Sequence, residues 1–329
     1  MRVLVTGCGG FLGTEIVRQL LARGDEVVGF GRSEYPQLSE IGMYRVRGDI
    51  RVRTDLESAF DNIDGVVHTA AIAGVWGPKK KYHDINFVGT QHVIDLCREH
   101  NVRNLVFSSS PSVTFGGNDQ SGVDESEPYP SKFLCHYPRT KAAAEQAVLA
   151  ASGVDSLATC ALRPHLIWSE DDPHLFRRVI ERAKSGRLVR VGSGENLIDT
   201  IHVRNAAHAH LLALDKLKSG DNRVAGRPFF LSQGEPIPCW NWISRILSVA
   251  GIDTPTKSIS YRAAYAIGAA LEIGYRASGR QSEPPMTRFV AAQLAKDHYF
   301  DIRAARECLG YEPIISTADG MRQVESVWR

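Results

Sequence analysis

Near its N-terminus the chain reads Thr6-Gly7-Cys8-Gly9-Gly10-Phe11-Leu12-Gly13, between an apolar run and a segment with helical periodicity. The apolar run covers residues 2–6, the helical segment covers 11–23, and a second β-rich run follows at 26–30. A glycine turn between a strand and a helix lets the backbone approach a pyrophosphate, which the helix N-terminus also favours. The stretch therefore predicts a dinucleotide-binding β–α–β unit. The residues expected against the cofactor are Gly7, Gly10, Phe11, Leu12 and Gly13.

The rest of the first half continues this alternation. Short β-rich runs are expected at 65–69, 105–108 and 156–162, and helical stretches between them at 86–100 and 137–151. Alternation of this kind is typical of a parallel sheet with helices on both faces. It predicts a Rossmann-type, doubly wound α/β fold. Ligands then bind beyond the carboxyl ends of the strands, where the strand order reverses.

After Pro164 the pattern changes. A helical run at 175–185 leads to a glycine-containing loop, followed by an alanine-rich helix at 201–217 and one more strand at 228–231. From Pro236 onward the chain is mostly helical. We expect a dinucleotide-binding domain at 1–165, to which 197–232 return. The remaining segments, 166–196 and 233–329, are expected to form a smaller, mostly helical substrate lobe.

The candidate catalytic residues are Ser110, Tyr137 and Lys141. Tyr137 and Lys141 are four positions apart, which places them on one face of a helix. The pKa of a free tyrosine is about 10, and a nearby ammonium and an oxidised nicotinamide both favour the phenolate. Ser110, with Ser109 as the reserve candidate, would hold the substrate oxygen while Tyr137 moves a proton. This spacing also arises by chance on exposed helices, and only its combination with the glycine loop and the serines favours catalysis.

The residues after the second strand indicate which cofactor binds. An acidic side chain there would bind the ribose 2′-hydroxyl of NAD, but the chain has Gly31-Arg32-Ser33. Arg32 and Ser33 could instead bind a 2′-phosphate, so NADP(H) is favoured and NAD(H) remains open. The alternative is that the Arg32 side chain only points into solvent and binds no cofactor. Asp49 and Ile50 are expected near the adenine, although a loop aspartate often only stabilises a turn.

Composition excludes several classes of protein. A formal net charge of +2 gives no reason to expect a nucleic-acid partner. The six cysteines lack paired spacing, which indicates reduced thiols and a cytoplasmic protein. The sequence has no metal-ligand spacing, so no metal is expected. The longest apolar stretch, at 263–275, contains Glu272 and is too short to span a bilayer.

With these motifs the chain resembles the extended short-chain dehydrogenase/reductase superfamily. It is most similar to the 3β-hydroxysteroid dehydrogenase-like branch, which includes sterol 4-carboxylate dehydrogenases and bacterial 2-alkyl-3-oxoalkanoate reductases. Besides the glycine loop and the Tyr137–Lys141 pair, the resemblance rests on the segments 68–71, 86–90, 108–110, 162–164 and 199–203, and on 205–210. Two segments, 73–77 and 283–288, are most similar to the oxoalkanoate reductases.

The resemblance implies a serine–tyrosine–lysine catalytic set at Ser110, Tyr137 and Lys141. It also implies that Ala70 and Ala71 line the adenosine and ribose part of the cleft and that Pro164 flanks the nicotinamide. Such enzymes are commonly homodimers joined by the helices that start near Asn86 and Tyr137. Two departures concern the cofactor and the substrate. Gly31 replaces the acid of NAD-using relatives, and the segment 169–172 replaces a Gly-Pro-Gly-Asp loop.

The leading hypothesis is an NAD(P)-dependent enzyme that interconverts a secondary alcohol and a ketone on a lipophilic substrate. The two substrate classes are a 2-alkyl-3-oxoalkanoate or 3-hydroxy acid and a 3β-hydroxysteroid or sterol. The alternatives are a nucleotide-sugar epimerase or dehydratase with tightly bound NAD, and a cofactor-sensing protein without turnover. Aromatic side chains are expected near the cleft, with packing between lobes as the favoured role. They are Trp76, Tyr82, His165, Trp168 and Phe176. A helix at 261–275 is expected to be buried in the core, with a lid or peripheral contact with a membrane as alternatives.

Overall fold

The computed structural model describes residues 1–173 and 175–328. The strands are β1 (Arg2–Thr6), β2 (Glu26–Gly31), β3 (Tyr44–Arg47), β4 (Gly65–His68), β5 (Asn104–Ser108), β6 (Gln120–Val123), β7 (Ala158–Pro164), β8 (Ile167–Trp168), β9 (Arg190–Val191), β10 (Leu197–Ile198), β11 (Ile201–His202), β12 (Arg227–Leu231), β13 (Ile237–Pro238), β14 (Ser258–Ile259) and β15 (His298–Phe300). The helices are α1 (Phe11–Ala22), α2 (Pro36–Glu40), α3 (Arg53–Glu57), α4 (Lys79–Tyr82), α5 (Gly89–Glu99), α6 (His136–Ala150), α7 (Leu175–Lys184), α8 (Val203–Lys218), α9 (Cys239–Val249), α10 (Tyr261–Ala277), α11 (Arg288–Ala295) and α12 (Thr317–Trp328). A π-helical turn, His83–Val88, joins α4 to α5, and a second covers Ala305–Leu309.

A parallel sheet of seven strands, in the order β12-β7-β5-β4-β1-β2-β3, forms the centre of the molecule. Its inner strands are continuous apolar runs because helices cover both faces. The strand order reverses between β1 and β4, so the glycine loop after β1 and the loop after β4 border one crevice. The predicted doubly wound α/β fold is confirmed, and a late strand, β12, lies at one edge of the sheet.

Two buried clusters hold the helices on the sheet. On one face, α1 and α8 pack on the strands through aliphatic side chains such as Ile16, Leu20 and Leu214. On the other face, α5 and α6 do so through residues that include Val93 and Val148. Each fully buried aliphatic side chain contributes about 2 kcal/mol through the hydrophobic effect. The carboxyl ends of the strands therefore stand on a rigid platform.

The later part of the chain builds a third cluster around Trp168, Phe176 and Trp242, between α7, α9 and α12. A small sheet in the order β13-β10-β15-β6 lies beside it. The boundaries of the two predicted lobes stay a prediction. None of the described helices is long and apolar enough to cross a bilayer.

Helix α10 differs from expectation. Its apolar residues were expected in the core, but only Ala264, Gly268 and Glu272 are buried. Ile267 is 46% exposed and Ile273 is 66% exposed. The prediction of core burial is therefore wrong, because small residues on one face pack against α11 and leave the isoleucines outside.

Candidate active site

The glycine loop forms a cradle in which side chains would not fit. Gly7 has φ of +73°, and a β-carbon there would lie 2.8 Å from the backbone nitrogen of Ala70. A β-carbon at Gly13 would lie 2.2 Å from the carbonyl oxygen of Gly7. Gly10 donates a hydrogen bond to that oxygen, and α1 begins at Phe11, followed by Leu12. The amides at the start of α1 thus border a shape suited to a dinucleotide pyrophosphate.

The predicted adenosine residues lie around this loop. Ala70 is half-buried, its amide lies 3.4 Å from the Thr6 hydroxyl to which it donates, and Ala71 is exposed. Arg32 and Ser33 are exposed directly after β2. Their positions allow contact with a cofactor, and their roles stay predictions.

The Asp49 carboxylate is held by Arg51 rather than being free for a ligand. The Arg51 guanidinium and backbone amide both donate to it, with one contact of 2.6 Å, and these bonds lower the pKa of Asp49. Ile50 is buried against Gly89, where a β-carbon would lie 2.8 Å from it. This geometry agrees with the turn-forming alternative for Asp49, and an adenine contact stays a prediction.

The structure brings Ser110 and Tyr137 together. Ser110 follows β5 and caps a short helical turn, where its hydroxyl accepts a bond from the Ser112 amide at 3.2 Å. Tyr137 is the second residue of α6. Burial raises the pKa of the Tyr137 phenol, and a hydrogen bond with Ser110 partly opposes that increase. The reserve candidate Ser109 is buried, and its hydroxyl has no partner among the described residues.

Lys141 lies one turn further along α6 and is buried. Its Nζ donates to the carbonyl oxygen of Ser108 at 2.6 Å and stands 3.8 Å from the centre of the Phe107 ring. Burial lowers the pKa of Lys141 to about 7, and the Glu145 carboxylate acts in the opposite direction. We expected its ammonium to favour the phenolate of Tyr137. In this structure burial instead dominates the pKa of both groups.

Comparisons with known proteins identify the family. Residues 4–261 match the model of the 3-beta hydroxysteroid dehydrogenase/isomerase family. The chain belongs to this family. It is 42% identical to 2-alkyl-3-oxoalkanoate reductase of Shewanella oneidensis, over 98% of this chain and 85% of the relative. It is 34% identical to the human sterol-4-alpha-carboxylate 3-dehydrogenase, decarboxylating, over 100% of this chain and 88% of the relative.

A solved structure gives the same architecture. The structure of MoeE5 in complex with UDP-glucose and NAD matches with a TM-score of 0.74 and 25% identity, over 99% of this chain and 98% of that one. The predicted resemblance is confirmed. As a member of the 3-beta hydroxysteroid dehydrogenase/isomerase family, the chain is an NAD(P)-dependent oxidoreductase that acts on CH–OH groups.

Asn86, in the family motif at 86–90, links two parts of the candidate site. Asn86 is buried in the π-helical turn before α5. Its amide oxygen accepts from the Ile72 backbone at 2.8 Å, and its Nδ2 donates to Thr140 at 3.1 Å. Asn86 thereby ties the loop after β4 to the turn of α6 that carries Tyr137 and Lys141.

A second buried network supports α6, and the sequence did not predict it. Glu145, one turn beyond Lys141, pairs with Arg163 at 2.6 Å and accepts from the Tyr129 hydroxyl at 2.7 Å. Arg163 directly precedes Pro164, which is buried at the end of β7. The network therefore links the catalytic helix to the strand end expected beside the nicotinamide. No local sequence signal joins positions 129, 145 and 163.

The aromatic residues proposed for the substrate side serve mostly in packing. Trp168 and Phe176 are fully buried against Trp242. His165 is buried, with its Nε2 2.6 Å from Nδ1 of His298. Tyr82 is also buried, and its hydroxyl donates to the Trp76 carbonyl. Trp76 alone is half-exposed, packed edge-on against Tyr275 of α10.

Proposed function

We propose that this protein reduces a 2-alkyl-3-oxoalkanoate to the corresponding 3-hydroxy acid with NADPH, or catalyses the reverse reaction. The observation that carries the substrate class is its similarity to a 2-alkyl-3-oxoalkanoate reductase over 98% of this chain and 85% of the relative, at 42% identity. Identity to the sterol dehydrogenase is lower, at 34%, so a sterol or 3β-hydroxysteroid is the second substrate class.

The proposed catalytic residues are Ser110, Tyr137 and Lys141. The bound nicotinamide supplies or accepts the hydride. Ser110 donates a hydrogen bond to the substrate oxygen, and the Tyr137 hydroxyl delivers a proton to that atom in reduction, whereas its phenolate accepts the proton in oxidation. Because its pKa is raised by burial, Tyr137 holds its proton at neutral pH, which is the state needed to reduce a ketone. Lys141, one turn further along α6, would orient the cofactor ribose.

NADP(H) is the proposed cofactor. Support comes from Gly31, where no acid is present to bind a ribose 2′-hydroxyl, and from the exposed Arg32 beside it. The test compares oxidation of NADPH and NADH with a panel of 2-alkyl-3-oxo acids and 3-oxosteroids. We expect the highest kcat/KM with NADPH and an oxo acid. Activity with neither panel and neither cofactor would overturn the proposal.

A nucleotide-sugar epimerase or dehydratase is the second candidate. One observation favours it, the similarity to the MoeE5 structure that holds UDP-glucose and NAD. Enzymes of that kind keep NAD bound through a whole catalytic cycle, which the glycine at position 31 does not favour.

We also propose a homodimer, a cytoplasmic location and peripheral contact with lipid. Helices α5 and α6 pack side by side, as the expected dimer interface requires. All six cysteines are free thiols, which suits a reducing compartment. The exposed Ile267 and Ile273 of α10, with exposed arginines at 262, 276 and 280, suit an anionic lipid surface.

A further inference from the structure

The side chain of Tyr35 fills the space between the glycine loop and the end of β2. A β-carbon added at Gly9 would lie 1.8 Å from Cε1 of Tyr35. A β-carbon added at Gly31 would lie 2.6 Å from the Tyr35 hydroxyl oxygen and 2.9 Å from Cε2. Atoms do not pack at such distances, so the ring can lie there only because both neighbours are glycine.

Position 31 is where the choice between two cofactors is made. Dinucleotide-binding domains that use NAD carry an acid there, which binds the ribose 2′-hydroxyl. In this structure the Tyr35 ring occupies the space that such a side chain would enter. An acid at position 31 would therefore require the Tyr35 ring to move from the place it occupies here.

The register of the sheet places a cation on the same face. Gly31 is paired with Arg47 of β3, and paired residues of parallel strands project to the same side of a sheet. Arg47 is exposed, and it forms no salt bridge with any described residue. Its neighbour Arg45 differs, because it is already paired with Glu34.

The Tyr35 hydroxyl has a proton to give. It accepts a hydrogen bond from the Ser33 amide at 3.4 Å, and within residues 1–173 and 175–328 the phenol has no acceptor for its own proton. A phenol and an uncommitted guanidinium on one face offer charge-assisted hydrogen bonds to a phosphate monoester.

We propose that Tyr35 is a specificity-determining residue for the 2′-phosphate of the cofactor adenosine. Its ring excludes the acid that would select NAD, and its hydroxyl binds the phosphate together with Arg47. Arg32, at the rim, adds a second cation. The proposal rests on the proposed function only in requiring a nicotinamide dinucleotide cofactor.

The test measures binding to the purified full chain by isothermal titration calorimetry, with 2′,5′-ADP, 5′-ADP and NAD⁺ as probes. Tyr35→Phe keeps the ring and removes one hydrogen bond to a charged group. It should therefore raise the dissociation constant of 2′,5′-ADP by about tenfold. Binding of 5′-ADP should stay unchanged. Arg47→Gln should act in the same direction. Tyr44→Phe, on the exposed opposite face of β3, is the matched control. It should change the dissociation constant of neither 2′,5′-ADP nor 5′-ADP.

A second pair of variants tests the steric claim. Gly31→Asp alone should weaken the binding of 2′,5′-ADP without strengthening the binding of NAD⁺, because Tyr35 blocks the new carboxylate. Gly31→Asp combined with Tyr35→Ala should bind NAD⁺ at least about tenfold more tightly than Gly31→Asp alone. Thermal unfolding of each variant confirms that it folds.

Three results would overturn the proposal, and each contradicts a different part of the account. Tight NAD⁺ binding by Gly31→Asp alone contradicts the steric claim. An unchanged ratio of 2′,5′-ADP to 5′-ADP affinity in Tyr35→Phe and Arg47→Gln contradicts the phosphate pocket. If wild-type protein binds none of the probes, the proposed function fails as well.

Discussion

At the scale of single residues, burial sets the charge of the proposed catalytic groups. Lys141 is surrounded by the Phe107 ring, the Ser108 carbonyl and the core of α6, and its pKa falls to about 7. His68, buried nearby between Thr6 and Thr90, has its pKa lowered to about 3, in part by Lys141. Burial thus favours a neutral imidazole at His68 and a readily deprotonated amine at Lys141.

The lowered pKa of Lys141 predicts how stability depends on pH. Between pH 7 and 9 the unfolded chain keeps a proton on this lysine, since its ordinary pKa is 10.5, whereas the folded chain releases it. The unfolded state then binds more protons, so the free energy of unfolding rises with pH. The contribution is about 1 kcal/mol per pH unit. Urea unfolding at pH 7, 8 and 9 measures it.

Lys141→Met should lose this pH-dependent increase, because the variant has no amine to deprotonate. Lys218→Met, at an exposed position of α8, is the control and should keep the wild-type slope. Equal slopes for wild-type protein and Lys141→Met would show that the lysine is not desolvated as described.

At the scale of elements, the sequence was informative wherever local pattern and fold agree. The glycine loop and its flanking residues predicted β1, α1 and β2 correctly, because the structure of these elements depends mainly on residues adjacent in sequence. Helix α10 was predicted wrongly as core, since apolar composition alone does not say which partner covers a helix. In the structure α11 covers only its Gly268 side.

The same holds for the candidate site: residues in local motifs could be predicted, and pairs distant in sequence could not. Ser110, Tyr137 and Lys141 lie in motifs, and in the structure Ser110 is near enough to Tyr137 to lower the pKa of its phenol. The pair of His165 and His298 joins residues 133 positions apart, which no periodicity reveals. Tyr35 carries no motif, and its significance becomes visible only when the space above Gly9 and Gly31 is measured.

The exposed face of α10 leads to a prediction about lipid. Wild-type protein should float with vesicles that contain phosphatidylserine and not with neutral vesicles, because arginines flank the isoleucines. Ile273→Glu should abolish flotation. Ile314→Glu is the control, because Ile314 is also exposed, at 53%, but lies outside α10. Flotation that survives Ile273→Glu would place the contact elsewhere.

At the scale of the whole molecule, the same fold serves enzymes that release their cofactor and enzymes that retain it. The proposed reductase exchanges NADP(H) with every turnover, whereas an epimerase retains NAD. Protein purified without added nucleotide and then denatured should release only a substoichiometric amount of NAD, as measured by mass spectrometry. One NAD per chain would favour the epimerase instead.

The proton-transferring phenol of Tyr137 is the central claim, and one comparison tests it most directly. Wild-type protein and Tyr137→Phe are assayed for NADPH oxidation with a 2-alkyl-3-oxoalkanoate, and 2′,5′-ADP binding is measured for both. Removing a general acid should lower kcat by about a hundredfold or more and leave the nucleotide dissociation constant unchanged. Turnover by Tyr137→Phe at the wild-type rate would contradict the account.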